Sequence, residues 1–155
     1  KIGAETGVGS GPTTSFLLGK HPDLRWIGVD HFPAGFDLVD GTKMTAERQD
    51  GYRAKYAGLV KQYEPRLTWL DAPVPEAAAQ IEDGSLDLVF IDDDHSYEGC
   101  RDAILAWRPK VRPDGWLAGH DFFPERFPGV VKAVKELVPV FTLADDYVWL
   151  TRVPA

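Results

Sequence analysis

One cysteine, Cys100, and one methionine, Met44, are all the sulfur that the 155 residues contain. A lone cysteine excludes an intrachain disulfide framework and a cysteine-rich zinc site, and fits a reducing, cytoplasmic setting. Long apolar runs are missing too. None approaches the roughly 18 residues of a membrane span, and no signal-peptide pattern opens the chain. Positive charge is the minority, 17 basic residues against 24 acidic, for a net charge of −7. Neither nucleic acid nor an anionic membrane is the expected partner of such a surface. Repeats, low-complexity tracts and linkers are also absent, so residues 1–155 read as a single domain. The remaining composition, 44% apolar and 12% aromatic, is that of an ordinary globular protein. Lys1 is not an initiator methionine, and Lys1-Ile2-Gly3-Ala4 already reads as strand, so residues upstream of it are expected.

What is present is alternation. Apolar or β-rich runs fall at Ile2–Glu5, Arg25–Asp30, Leu67–Leu70, Leu86–Asp92 and Trp116–Asp121. Between them lie segments of helical period. Pro12–Gly19 opens with proline at a first helical position, where its missing N–H costs nothing. Tyr52, Tyr56, Leu59, Val60 and Tyr63 form one apolar stripe of a helix starting near Thr45. Ser96 can cap a helix whose stripe is Tyr97, Cys100, Ile104 and Trp107. Val130, Val131, Val134, Leu137 and Val138 mark the last helix. Arg112-Pro113-Asp114-Gly115 reads as a turn, with Gly115 in the left-handed region. The five tryptophans sit in separate elements and read as core, and His21 reads as a surface residue. Strand and helix in alternation predict a doubly wound α/β fold, its sheet mostly parallel. Val140–Leu143 and Tyr147–Val153 are separated by only three residues, which predicts a C-terminal antiparallel hairpin.

In such folds ligands bind beyond the carboxyl ends of the strands. The first strand runs into Glu5-Thr6-Gly7-Val8-Gly9-Ser10-Gly11-Pro12, a glycine loop opening a helix. The dinucleotide fingerprint fails in both registers, at Pro12 and at Thr14. Glu5 at the strand end would suit a cationic group better than a pyrophosphate. Asp30 ends the second strand, where a carboxylate can accept ribose hydroxyls. Asp71 ends the third, beside a position for an adenine edge, or is a plain turn or cap residue. The densest segment is Phe90-Ile91-Asp92-Asp93-Asp94-His95-Ser96-Tyr97-Glu98-Gly99, followed by Gly119-His120-Asp121. Carboxylates packed in this way raise one another's pKa values or call for a cation. Asp93 and Asp94 also have a bland alternative, as solvated charges at a helix start.

These residues resemble the class I S-adenosylmethionine-dependent methyltransferases, and most of all a bacterial small-molecule family carrying a block like Asp92–Gly99 with the later Gly119-His120-Asp121. The resemblance implies a seven-stranded, Rossmann-like sheet ending in an antiparallel strand. It implies that Glu5, Gly7, Gly9 and Gly11 hold the methionine part of S-adenosylmethionine and that Asp30 binds the ribose. His31 and Asp71 would lie near the adenine, and Asp92 where cofactor and substrate meet. Some relatives are metal-assisted O-methyltransferases, which implies Asp92 and Asp121 as ligands of a Mg2+ ion. The chain departs from the family in having Asp93 and Asp114 where glycine is common, and His120 where metal-dependent relatives carry an acidic residue. It lacks the helices that usually precede the first strand and cover the substrate, so the segment His31–Met44, with Phe32, Pro33, Gly35, Phe36 and Gly41, is expected to act as a lid, the alternative being an ordinary crossover loop. The expected activity is methyl transfer to a small-molecule acceptor, most naturally a hydroxyl, with His95 or His120 as base and Asp121 orienting an imidazole. A homo-oligomer is compatible with this reading. The alternatives are a metal-dependent nucleotide-sugar glycosyltransferase and an inactive cofactor-binding core.

Overall fold

Apolar strands that must be buried on both faces recruit helices to both faces, and the computed structural model, which describes residues 1–35 and 42–154, shows this arrangement. The elements are β1 (Ile2–Thr6), α1 (Pro12–Lys20), β2 (Arg25–Val29), α2 (Ala46–Tyr63), β3 (Leu67–Leu70), α3 (Val74–Ala78), β4 (Leu86–Ile91), α4 (Tyr97–Trp107), β5 (Val111–Gly119), α5 (Pro128–Leu137), β6 (Thr142–Leu143) and β7 (Trp149–Arg152). They form one seven-stranded sheet in the order β3-β2-β1-β4-β5-β7-β6. β1 to β5 are parallel and β7 runs antiparallel to both β5 and β6. The topological switch lies between β1 and β4, so a crevice opens at their carboxyl ends.

The two faces carry separate cores. Val8, Leu18, Trp26, Tyr56 and Leu67 pack under α1 and α2. On the other face Val89, Ile91, Ile104, Trp107, Leu117 and Val134 pack under α3, α4 and α5. The cap read from the sequence is in place, Ser96 Oγ accepting from Gly99 N, and at the start of α2 Thr45 Oγ1 accepts from Arg48 N. α2 seats so closely on β2 that a Cβ on Gly28 would lie 1.7 Å from the Tyr56 hydroxyl.

Several expectations change. The segment 112–115 lies inside β5, where it bulges: Leu86 pairs with Val111 but Leu88 with Trp116. Asp114, not Gly115, takes the left-handed conformation there, at φ 60°. Trp69 and Trp116 are only partly buried, whereas Trp26, Trp107 and Trp149 are fully enclosed. The short α3 was invisible to periodicity, since five residues hold barely more than one turn. Tyr147, expected in the last strand, lies in the turn before it. Of the expected lid, Phe36 and Gly41 lie outside the described residues; Phe32 is buried against Tyr56 and Trp69.

Candidate functional site

The glycine loop turns out of β1 at the switch point. Gly7 N donates to Val29 O at 2.9 Å, and Gly7, Gly9 and Gly11 all have positive φ. A Cβ on Gly7 would sit 1.9 Å from Asp92 O, so the loop is pressed against the end of β4. Among the described residues, nothing lies within 4 Å of a Cβ on Gly9. The middle of the loop therefore presents bare backbone to open space.

Asp30 fastens this loop. Its Oδ2 accepts from Gly9 N at 3.1 Å and its Oδ1 from Phe32 N at 2.7 Å. Burial pushes its pKa up, while these two amides and His31 pull it back toward the ionised form. Two carboxylate oxygens retain lone pairs beyond those two bonds, so further hydroxyl donors can be accepted. His31 beside it is exposed.

Glu5 is placed differently from the expectation that it meets a cationic ligand directly. Strand alternation turns it into the layer beneath α1, 2% exposed. There its Oε2 accepts from Thr14 Oγ1 at 2.8 Å and from Trp26 Nε1 at 3.4 Å, and Thr14 Oγ1 also meets the Tyr56 hydroxyl at 3.3 Å. Burial pushes the Glu5 carboxyl up to about 7 against the pull of its hydrogen bonds.

At the ends of β4 and β5 the structure gathers Asp92, His95, His120 and Asp121. His95 Nε2 lies 2.6 Å from Asp121 Oδ2, and His120 Nδ1 lies 3.2 Å from Asp121 Oδ1 and 3.9 Å from Asp92 Oδ1. One carboxylate thus holds two imidazoles. Burial acts against a charged His95, but the hydrogen bond and charge of Asp121, with Asp92 and Asp94, outweigh it and raise its pKa. Burial likewise acts to raise Asp121, and the two histidines overcome it and hold its carboxyl low. Burial lifts Asp92 to about 6, with Asp121 adding to the shift. Asp93 is lifted to about 6 by burial and by Asp30 and Asp94, so it is not the freely solvated charge of the bland alternative. Asp94 is exposed and accepts from Ser96 N at 2.8 Å. Asp92, His95 and Asp121 each offer an atom within 4.8 Å of the others, a set that a divalent cation could join.

Some neighbours of the crevice carried no signal in the sequence. Phe127 stacks on His95 at 4.5 Å between ring centroids. Asp146, at the tip of the β6–β7 connection, places Oδ2 3.7 Å from His120 Nε2. Arg53 on α2 pairs with Asp71 through both terminal guanidinium nitrogens, Nη1 and Nη2. Each contact joins separate elements, and no local spacing encodes it.

A family described as "Methyltransferase domain" matches residues 4–122. No curated protein matches the chain in sequence. Among solved structures, the calicheamicin methyltransferase CalS11 is similar with a TM-score of 0.71 and 19% identity, over 97% of this chain and 71% of that one. The O-methyltransferase NovP gives a TM-score of 0.69 and 17% identity over 98% and 71% of the two chains. The N-methyltransferase NodS from Bradyrhizobium japonicum WM9 gives 0.63 and 17% over 100% and 86%. At these identities the likeness is one of fold.

Proposed function

Because the chain belongs to the methyltransferase-domain family, we propose that it moves the sulfonium methyl of S-adenosylmethionine to a hydroxyl oxygen of a small-molecule acceptor. The observation that carries this reading is Asp121 holding both His95 and His120 beside a crevice whose glycine loop is fastened by Asp30. Gly7, Gly9 and Gly11 let the methionine part approach the backbone, Asp30 accepts the ribose hydroxyls, and His31 and Asp71 stand on the adenine side. Asp92 lies where donor and acceptor meet. A reducing, cytoplasmic setting suits the buried Cys100 thiol, which burial pushes up to about 12 and so keeps protonated.

The transfer is an in-line displacement. The acceptor oxygen forms a bond to the methyl carbon while the sulfur–carbon bond breaks, its electron pair staying on sulfur. The protein's work is alignment and removal of the acceptor's proton. An imidazole, His95 or His120, takes that proton, and Asp121 fixes its orientation and stabilises the imidazolium, as a carboxylate does in an acid–base triad.

Calorimetry with S-adenosylhomocysteine and with UDP, each with and without magnesium, tests the donor. Binding of the first alone is expected, and binding of UDP alone would favour the nucleotide-sugar alternative instead. Asp30→Asn is expected to weaken S-adenosylhomocysteine by roughly 1.5–3 kcal/mol, the range for charge-assisted hydrogen bonds. Equal affinity in the folded variant would remove Asp30 from the site.

A second reading is favoured by the closeness of Asp92, His95 and Asp121. Those three could hold a divalent cation, which would supply Lewis-acid help in ionising the acceptor hydroxyl. Chelator separates the two readings. With an imidazole base, activity persists in chelator and rises with pH through one ionisation. That ionisation lies above the ordinary imidazole value if it belongs to His95, since Asp121 raises it. His95→Gln or His120→Gln should remove it from the rate profile. Activity abolished by chelator and restored by magnesium would establish the cation instead.

A further inference from the structure

We propose that Arg53 is a cofactor-positioning residue, which clamps the Asp71 carboxylate as a fixed acceptor for the exocyclic amino group of adenine and makes the site selective for a 6-aminopurine. This rests on the S-adenosylmethionine reading and extends it to a residue on α2.

β2 and β3 run parallel with Val29 opposite Leu70, so Asp30 and Asp71 leave the sheet side by side. Asp30 N donates to Leu70 O at 3.3 Å, and the charge of Asp71 adds to the burial that raises Asp30. With the ribose on Asp30, the base falls toward Asp71. Arg53 reaches Asp71 across 18 residues of sequence, Nη1 donating to Oδ1 at 3.2 Å and Nη2 to Oδ2, fork on fork. The guanidinium lies over the Trp69 ring at 5.0 Å and 5.9 Å from the centre of the Phe32 ring. Trp69 is itself held, its Nε1 donating to Asp30 O at 3.0 Å, and Phe32 N donates to Asp30 Oδ1. Each member of the chain Asp30–Trp69–Arg53–Asp71 is fixed by the one before.

As an ion pair this contact does little for the fold, because side chains 41% and 42% exposed gain little from pairing in water. Its geometric consequence is larger. A bidentate guanidinium sets the plane of the carboxylate and occupies one lone pair on each oxygen, leaving others open. A 6-amino group can donate to such an acceptor. A 6-oxo purine turns an oxygen toward it and is repelled, the kind of mismatch by which a polar site rejects an analogue. Lysine cannot reproduce the clamp, since one ammonium does not span two oxygens in a plane.

The test is calorimetric titration of the wild type, Arg53→Ala and Arg53→Lys with S-adenosylhomocysteine and with its 6-oxo counterpart, S-inosylhomocysteine, alongside thermal denaturation. The wild type should prefer the adenine compound by at least roughly tenfold, the worth of one good hydrogen bond. Arg53→Ala should lose most of that preference, and Arg53→Lys should stay close to it despite keeping the charge, both with near-native melting. Tight wild-type binding that neither variant alters, or a preference that Arg53→Lys fully restores, overturns the inference alone. No binding of S-adenosylhomocysteine to the wild type overturns the donor reading and the inference together.

Discussion

Gly7→Ala and Gly9→Asn, two residues apart in one loop, are expected to fail in opposite ways. Gly7 has φ 76° and its Cβ would stand 1.9 Å from Asp92 O and 2.7 Å from Asp93 Cα. Both are backbone atoms at the end of β4, so no flexible side chain can yield. Overpacking of about 1–3 kcal/mol and left-handed strain of about 1–2 kcal/mol then act together. The sum is a large part of the roughly 5–15 kcal/mol that holds a domain folded. Gly7→Ala should therefore melt far below the wild type or fail to accumulate. Gly9 has φ 51° with no described residue within 4 Å of its Cβ position, and asparagine tolerates that conformation. Gly9→Asn should melt near the wild type. It should nevertheless bind S-adenosylhomocysteine on the order of a hundredfold more weakly, about 2.7 kcal/mol, because its side chain fills the space where the cofactor must reach the backbone. Normal affinity in Gly9→Asn would make the loop a structural turn and nothing more.

Glu5→Gln should change the shape of the stability curve with pH. Burial raises the folded Glu5 from 4.5 to about 7, so the folded state favours its neutral form. A group raised in this way contributes stability that is fully present below pH 4.5 and is lost as pH rises through about 7. A shift of that size corresponds to about 3 kcal/mol. Glutamine is neutral throughout, and its oxygen can still accept from Thr14 and Trp26. Chemical denaturation of Glu5→Gln at pH 5 should therefore resemble the wild type, while at pH 8 the variant should be the more stable of the two. A wild-type decline between pH 5 and 8 that persists unchanged in Glu5→Gln would show that Glu5 is ionised in its layer. The same experiment bears on the cofactor loop, since Thr14 belongs to α1, which the loop opens.

Glu5 also shows where reading residues in order stops. An acid at a strand end beside a glycine loop looks like a ligand for a cation. Alternation along β1 says only that Glu5 and Thr6 face opposite ways, not which way is the crevice. The register with β2, which pairs Glu5 with Gly28 and so puts Trp26 two pairs below it on the same face, decides it. Asp114 makes a similar point. Glycine is the usual left-handed residue of a turn, but the bulge between β4 and β5 places that conformation one residue earlier.

The sequence alone determined the sheet, most of the helices and the antiparallel ending, because hydrophobic period, caps and the length of a connection are local properties. It also determined that Asp30, Asp71, Asp92 and Asp121 would stand at strand ends, since each follows an apolar run. The tertiary structure decided which of those carboxylates share a partner. Asp121 draws in His95 from the loop after β4 as well as its own neighbour His120, and Asp71 is clamped by Arg53 from α2. Such pairs arise from strand register and from the seating of α2 against β2 and β3. Both are set by packing between distant segments, and no spacing within either segment records them.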